Sequence, residues 1–337
     1  MPARVFFSPS DNALKTKEER VMKKALFFAF IAALAAVSAL GGWIYEGQWG
    51  SFGSGNGQFN YPARLALARN GNVYVADAKN NRIQYFTASG SYLGKWSADL
   101  SAPQGVACAS NGNVYVADTW NDRIQYFTAS GSFLGKWGSS GTGNGQLDQP
   151  LGLSCAPNGN VYVVEYLNHR VQYFTSTGSY LGKWGTVGNG NGQFNSPEEI
   201  ARAPDGKMYV TDGGNNRIQY FTPTGSFLGK WGTKGTGNGA FDAPAGVAVS
   251  PDGSRVFVAD WGNHRIQYFT STGSYLGQWG SRGNGNGEFN GPNSIALSRT
   301  GARAYVADLD NNRIQYFNRN EPAVSPTSLG RVKALFE

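Results

Sequence analysis

The sequence predicts an all-β chain: a six-bladed β-propeller of four-stranded antiparallel blades, its ring closed by an N-terminal strand. Three observations predict it. The string Arg-Ile-Gln-Tyr-Phe begins at Arg82, Arg123, Arg217, Arg265 and Arg313, with a Val variant at Arg170, so one unit recurs at spacings of 41, 47, 47, 48 and 48 residues. Each unit holds four short β-branched and aromatic runs separated by Gly and Asn turns, the pattern of strands joined by tight hairpins. The last unit lacks its fourth run, and an equivalent run lies before the first unit. Internal repeats of this length and strand count point to a propeller.

In chain order, residues 1–21 read as a start-site extension, because Met22-Lys23-Lys24 opens what looks like the true start. Residues 22–39 read as a signal peptide: two lysines, an apolar run from Ala25 to Ala39, and a small-residue ending at Val37-Ser38-Ala39. The run is short for a membrane span, which needs about 20 residues. The expected localisation is secreted or extracytoplasmic, with membrane attachment only through a retained signal.

Residues 40–317 read as the propeller. In the second unit, Pro103–Cys108 is the first strand, and Asn111-Gly112-Asn113 turns into the second, Val114–Asp118. A loop with Asn121-Asp122 leads to Arg123–Phe127, and a Ser-Gly turn leads to Ser132–Trp137. The second and third strands carry apolar residues on both faces, as a sheet between two other sheets must. The fourth strand missing after Phe317 is supplied by Trp43–Trp49, which closes the circle and removes open sheet edges. Interblade loops such as Gly55–Phe59 are Gly-rich turns carrying a Phe plug. They lack the following helix that a phosphate cradle needs. The second unit lacks this insert, which predicts a notch. Residues 318–337 read as a linker and a short C-terminal tail.

The Val-Tyr-Val-Ala-Asp…Asn-x-Arg-Ile-Gln-Tyr-Phe unit resembles the NHL repeat, named for an Asn-His-Leu triplet that here reads Asn80-Asn81-Arg82, Asn168-His169-Arg170 and Asn263-His264-Arg265. The resemblance implies the propeller fold. For function it implies only a range, since such propellers occur as protein-binding and RNA-binding domains, extracellular sensor domains and lyases, and one fold hosts many activities.

Composition narrows that range. The chain has 47 Gly, 14% aromatic and 15% charged residues, which excludes a disordered chain and a helical bundle. Of the net charge of +7, residues 1–39 hold six Lys/Arg against three acids and residues 318–337 three against two, which leaves about +3 spread over the repeats. A nucleic-acid partner is therefore not expected, since phosphate binding usually gathers basic residues on one face.

Comparing the six units with one another separates scaffold from site. An acid closes every second strand, five residues before an Arg: Asp77 and Arg82, Asp118 and Arg123, Glu165 and Arg170, Asp212 and Arg217, Asp260 and Arg265, Asp308 and Arg313. Sixfold repetition marks these as blade staples. The residues after the acid vary, and place Lys79, Trp120, Tyr166, Leu167, Trp261 and Leu309 on the variable-loop face. Near the channel, Arg64, Gln104, Glu198, Glu199 and Asn293 bring uneven polarity. Loops presented by a rigid scaffold carry function, so this face is the candidate binding surface.

Catalytic residues are not suggested. His169 and His264 both occupy the triplet's middle position, and Cys108 and Cys155 sit at equivalent first-strand places. No metal or other cofactor is expected. The sequence thus predicts a monomeric, secreted or cell-surface interaction module binding protein or glycan. The alternative is a propeller enzyme of lyase or lactonase type.

Overall fold

A computed structural model describes residues 42–97 and 99–320. The start-site extension, the signal peptide and the tail beyond residue 320 lie outside the described residues. Residues 44–319 form one unit, the propeller. Beyond it, the Asn320 amide donates to the Gly42 carbonyl (2.9 Å).

Six four-stranded antiparallel sheets follow one another along the chain. Blade 1 runs Pro62–Leu67, Val73–Asp77, Arg82–Phe86 and Tyr92–Trp96 from the axis outward. Blade 6 is assembled from both ends: Pro292–Leu297, Arg303–Asp308 and Arg313–Arg319, with Trp43–Trp49 as the outer strand. Its third strand runs two residues beyond Phe317, where the sequence placed the start of the linker.

Burial explains the repeat's composition. Val-Tyr-Val-Ala-Asp strands are buried at every position because a neighbouring blade covers each face. Between blades 1 and 2, for instance, Tyr74, Ile83, Trp96, Val116 and Phe127 form one apolar cluster. Phe59, Leu147, Phe194, Phe241 and Phe289 are fully buried where the Gly-rich loops enter. Each buried Phe contributes about 1.5–3 kcal/mol relative to exposure.

Each blade also clasps the next. The Trp ending an outer strand lies under the following blade's Ser/Thr-Gly-Ser turn. A Cβ at Gly131 would strike the Trp96 indole, and its φ of 92° is left-handed, so both space and backbone demand glycine there. Gly90 makes the same contact with Trp49 of the closing strand, which carries the interlock across the chain ends. On the same side, Tyr74 Oη donates to the Ala129 carbonyl (2.8 Å) and Tyr305 Oη to the Ala88 carbonyl (2.9 Å).

The triplet's middle residue makes a further link. Asn81, Asp122, His169, Asn216, His264 and Asn312 all have φ between 48° and 55°. Each accepts the backbone N–H of the residue before the next blade's Pro, as in Ser196 N to His169 Nδ1 (2.9 Å) and Gly291 N to His264 Nδ1 (3.1 Å). Asn, Asp and His share the two needed properties: tolerance of the left-handed region and a short acceptor. Both histidines are therefore spent on blade-to-blade hydrogen bonds.

Candidate binding site

The acid–Arg pairs sit at the second-to-third-strand loop of every blade, as the centre of a larger knot. Asp77 is fully buried and accepts from the Asn60 amide (2.8 Å), Asn80 Nδ2 (2.9 Å), Arg82 Nε (2.6 Å) and Gln84 Nε2 (3.1 Å). The rest of the Arg82 guanidinium donates to the carbonyls of Ser54, Gly55 and Gln58 in the interblade loop. The same pairing recurs at Asp118–Arg123, Glu165–Arg170, Asp212–Arg217, Asp260–Arg265 and Asp308–Arg313, with Nε–oxygen distances of 2.6–2.8 Å. Blade 2, which lacks the insert, replaces those loop carbonyls with Asp99: Arg123 Nη2 donates to its carbonyl (2.6 Å) and to its carboxylate (2.9 Å). Arg123 accordingly holds the exposed Asp99 carboxyl below its ordinary range.

The knots fix the loops; the mouth is set by the inner strands. Counting from the Pro that opens each blade, the second residue reads Ala63, Gln104, Leu151, Glu198, Ala245 and Asn293. Even-numbered blades present a polar side chain and odd-numbered blades an apolar one. Aromatic rings stand with the odd blades: Tyr61 immediately before the Pro of blade 1, Tyr166 on the loop of blade 3, and Trp261 on the loop of blade 5. These rings and the three polar residues line one open cavity of about 330 Å³, with Gln149, Leu151, Ala243 and Ala245 between them. The volume sits at the lower end of the roughly 300–1,000 Å³ typical of small-molecule sites.

The third residue, counted from the same Pro, does not line the cavity. It reads Arg64, Gly105, Gly152, Glu199, Gly246 and Ser294. Glycine is required where inner strands crowd: a Cβ at Gly105 would overlap the Leu151 carbonyl, and one at Gly152 would strike Glu199. Arg64 and Glu199 belong to diametrically opposed blades, and the arginine crosses the channel between them. Its Nη2 meets Glu198 Oε2 (2.8 Å) and the Glu198 carbonyl (2.9 Å), and its Nε lies 2.9 Å from Glu199 Oε2. Arg64 is 1% exposed, and its Nη1 has no hydrogen-bond partner. One cation thus faces two carboxylates in a desolvated place. Burial raises both carboxyls against the pull of Arg64, and Glu199 is pushed up to about 7.

The remaining sequence-derived positions divide. Lys79 is exposed and its ammonium lies over the Tyr61 ring, 4.7 Å from the centroid. Trp120 is 71% exposed, beside a second hollow lined by Thr119, Asp122, Asp148 and Gln149 rather than in the mouth. Leu167 is exposed, next to Tyr166 but outside the cavity lining. Leu309 is placed differently from the reading that displayed it on the binding face. It is 1% exposed, packed with Ala63, Ala78 and Tyr61, because blade 6 turns this side chain inward under the blade 1 junction. Arg64 and Glu199 are likewise buried below the mouth rather than part of its rim. Tyr61 and Gln149 were missed by the sequence reading. Both precede a Pro with left-handed backbone, φ 68° and 47°. The signal was available one position earlier, where the units read Tyr61, Ala102, Gln149, Ser196, Ala243 and Gly291.

Cys108 and Cys155 are free, and burial raises both thiols, Cys155 to about 12. Among the described residues, no group of three His, Cys, Asp or Glu side chains is placed to hold a metal ion.

With the ring and the repeated knots in view, the family profile of the NHL repeat matches residues 59–86, 100–127 and 241–269. The chain carries NHL repeats and forms a six-bladed β-propeller. No curated protein matches its sequence. Solved structures share the architecture of this NHL propeller at low identity. Virginiamycin B lyase from Staphylococcus aureus is 16% identical with a TM-score of 0.56, covering 77% of this chain and 95% of that one. A streptogramin B lyase is 17% identical with a TM-score of 0.59, covering 82% and 98%. A protein of unknown function from Bacteroides thetaiotaomicron is 15% identical with a TM-score of 0.65, covering 81% and 76%. Likeness at this level carries the fold alone.

Proposed function

We propose that this NHL propeller is a secreted or cell-surface binding module, monomeric, that holds a protein or glycan ligand on its variable-loop face. One observation carries the reading: a scaffold that repeats six times supports a mouth that does not, where rings and polar groups alternate around a cavity. Conserving the knot in every blade while varying the residues beside it is how a rigid frame presents a specific surface. Partly exposed Trp and Tyr rings with neighbouring polar groups are the side chains that anchor ligands. The basic residues gathered before residue 40 and the apolar run after them support export. A lyase of the kind seen among the fold's relatives is the alternative, and its support is the shared architecture.

The test uses the fluorescently labelled full chain added to the cells that produce it. Trp261→Ala is expected to weaken saturable surface binding at least tenfold. The melting temperature should stay within about 2 °C, because a partly exposed side chain outside the core costs about 0.5 kcal/mol or less. A matching loss of stability would make Trp261 a core residue, and unchanged binding would remove the mouth from the interface.

A further inference from the structure

We infer that the mouth cavity is a subsite for one neutral saccharide unit, an inference that rests on the binding reading above and names its ligand chemistry. Three features of the cavity select that class.

The first is the alternation itself. Tyr61, Tyr166 and Trp261 come from the odd blades, while Gln104, Glu198 and Asn293 come from the even ones, all lining the same space. A ligand that satisfies both sets must offer apolar faces and hydrogen-bonding edges in close succession. A pyranose does this: its C–H faces pack on aromatic rings, and its equatorial hydroxyls pair with amides and carboxylates. An aliphatic ligand would strand three polar groups in a desolvated site, at a cost for each.

The second is charge. The one carboxylate lining the cavity is Glu198, and Arg64 already pairs with it at 2.8 Å. The second carboxylate, Glu199, is held beside the same guanidinium at 2.9 Å. Arg64 is thus shared by two carboxylates and the carboxylate lining the cavity is already paired, which leaves neither a free cation for an anionic ligand nor a free carboxylate for an ammonium. Neutral hydroxyls are the fitting partners.

The third is preorganisation. Asn293 Nδ2 donates to the Ala63 carbonyl (2.7 Å), which fixes its amide, and Asn293 is 9% exposed. Arg64 is buried and holds the lining Glu198 through both its carboxylate and its carbonyl. The Trp261 indole rests against Gly291, where a Cβ would meet its Nε1. Held side chains lose little freedom on binding, which suits a weakly interacting, uncharged ligand.

The experiment is saturation-transfer NMR on the full chain with cellobiose, lactose and N,N′-diacetylchitobiose, against glucosamine and glucuronate as rings of similar size bearing a positive or a negative charge. At least one neutral disaccharide should bind saturably, and more tightly than either charged ring. Trp261→Ala should weaken it at least tenfold, and Gln104→Ala, which leaves the Arg64 pairing intact, about fivefold. Binding of none of the neutral sugars, preference for glucosamine or glucuronate, or indifference to both substitutions would overturn the inference. The cell-surface assay separates the two levels. If surface binding still depends on Trp261 while no sugar binds, the saccharide assignment falls and the binding face stands; if neither depends on it, both fall.

Discussion

Two kinds of buried carboxylate in this propeller answer to arginine, and they behave differently. Asp77 and its five counterparts each receive at least four donors, although burial still raises the carboxyls of Asp77 and Glu165. Glu198 and Glu199 occur once, reach an arginine from the opposite blade, and share a guanidinium whose Nη1 is unpartnered. The first arrangement is complete and therefore copied. The second is incomplete and singular, and its Glu198 lines the mouth where polar and apolar positions alternate. Repetition marks what the fold needs; departure from repetition marks what is particular to this protein.

The comparison breaks most sharply at a knot. Asp212 accepts from the Asn195 amide, Asn215, Arg217 and Gln219. Asp212→Ala strands a buried guanidinium and three further donors, and should cost about 3–5 kcal/mol, read as a fall in the urea midpoint. An effect below about 1 kcal/mol would mean that the loops do not depend on their knots.

The channel pair should be more forgiving. Arg64→Met leaves two carboxylates without a cation, yet Glu199 can take a proton, so the loss should be nearer the 1.5–3 kcal/mol of a charged hydrogen bond, about 2 kcal/mol. Replacing Arg64 and Glu199 together by Met should return the protein to within about 1 kcal/mol of the wild type, since an apolar plug can substitute for a buried ion pair. If the double variant is worse than the single one, the brace is a structural element like the knots.

Titration tests the channel carboxylate directly. Burial holds Glu199 at about 7, above its ordinary 4.5. A raised acid favours the folded state fully below about pH 4.5, and that contribution is lost as pH rises through about 7. Wild type should therefore lose melting temperature relative to Glu199→Gln across that interval. His264 works in the opposite direction: burial and then Arg282 push it below 6.5, and its Nδ1 must stay unprotonated to accept from Gly291. Its contribution is present above about pH 6.5 and lost as pH falls. His264→Asn, the residue that other units use there, should flatten the acid limb of the melting curve. Parallel limbs in wild type and variant would count against the hydrogen bond.

How much of this was legible beforehand follows from the same distinction. Blade number, strand order, the closing strand and the acid–Arg pairs were readable because each is written many times or at both chain ends. Gln in Arg-Ile-Gln-Tyr-Phe is a knot donor, and its recurrence could have said so. Leu309 was misread because a single variable position carries no information about which way its side chain turns. Arg64 and Glu199 looked like rim polarity. That they meet across the axis depends on a ring of even blade number placing units one and four face to face, a geometric fact that pairwise comparison of repeats does not express. Tyr61 and Gln149 precede the Pro, outside the window in which the units were compared.

The smallest expected effect separates the mouth from the rest of its face. Trp120 is 71% exposed and lines a different hollow, with Asp122 and Asp148. A side chain that buries so little can contribute little to folding, so Trp120→Ala should change stability by less than about 0.5 kcal/mol, measured by urea denaturation. Its effect on saccharide binding should also be slight, because Trp120 does not line the cavity that Tyr61, Tyr166 and Trp261 share. A loss of cell-surface binding in Trp120→Ala with sugar binding intact would place a second contact at the hollow that Trp120 shares with Asp122 and Asp148. Loss of both would mean that the two hollows act as one groove, and the alternation at the axis would then describe only part of the recognition surface.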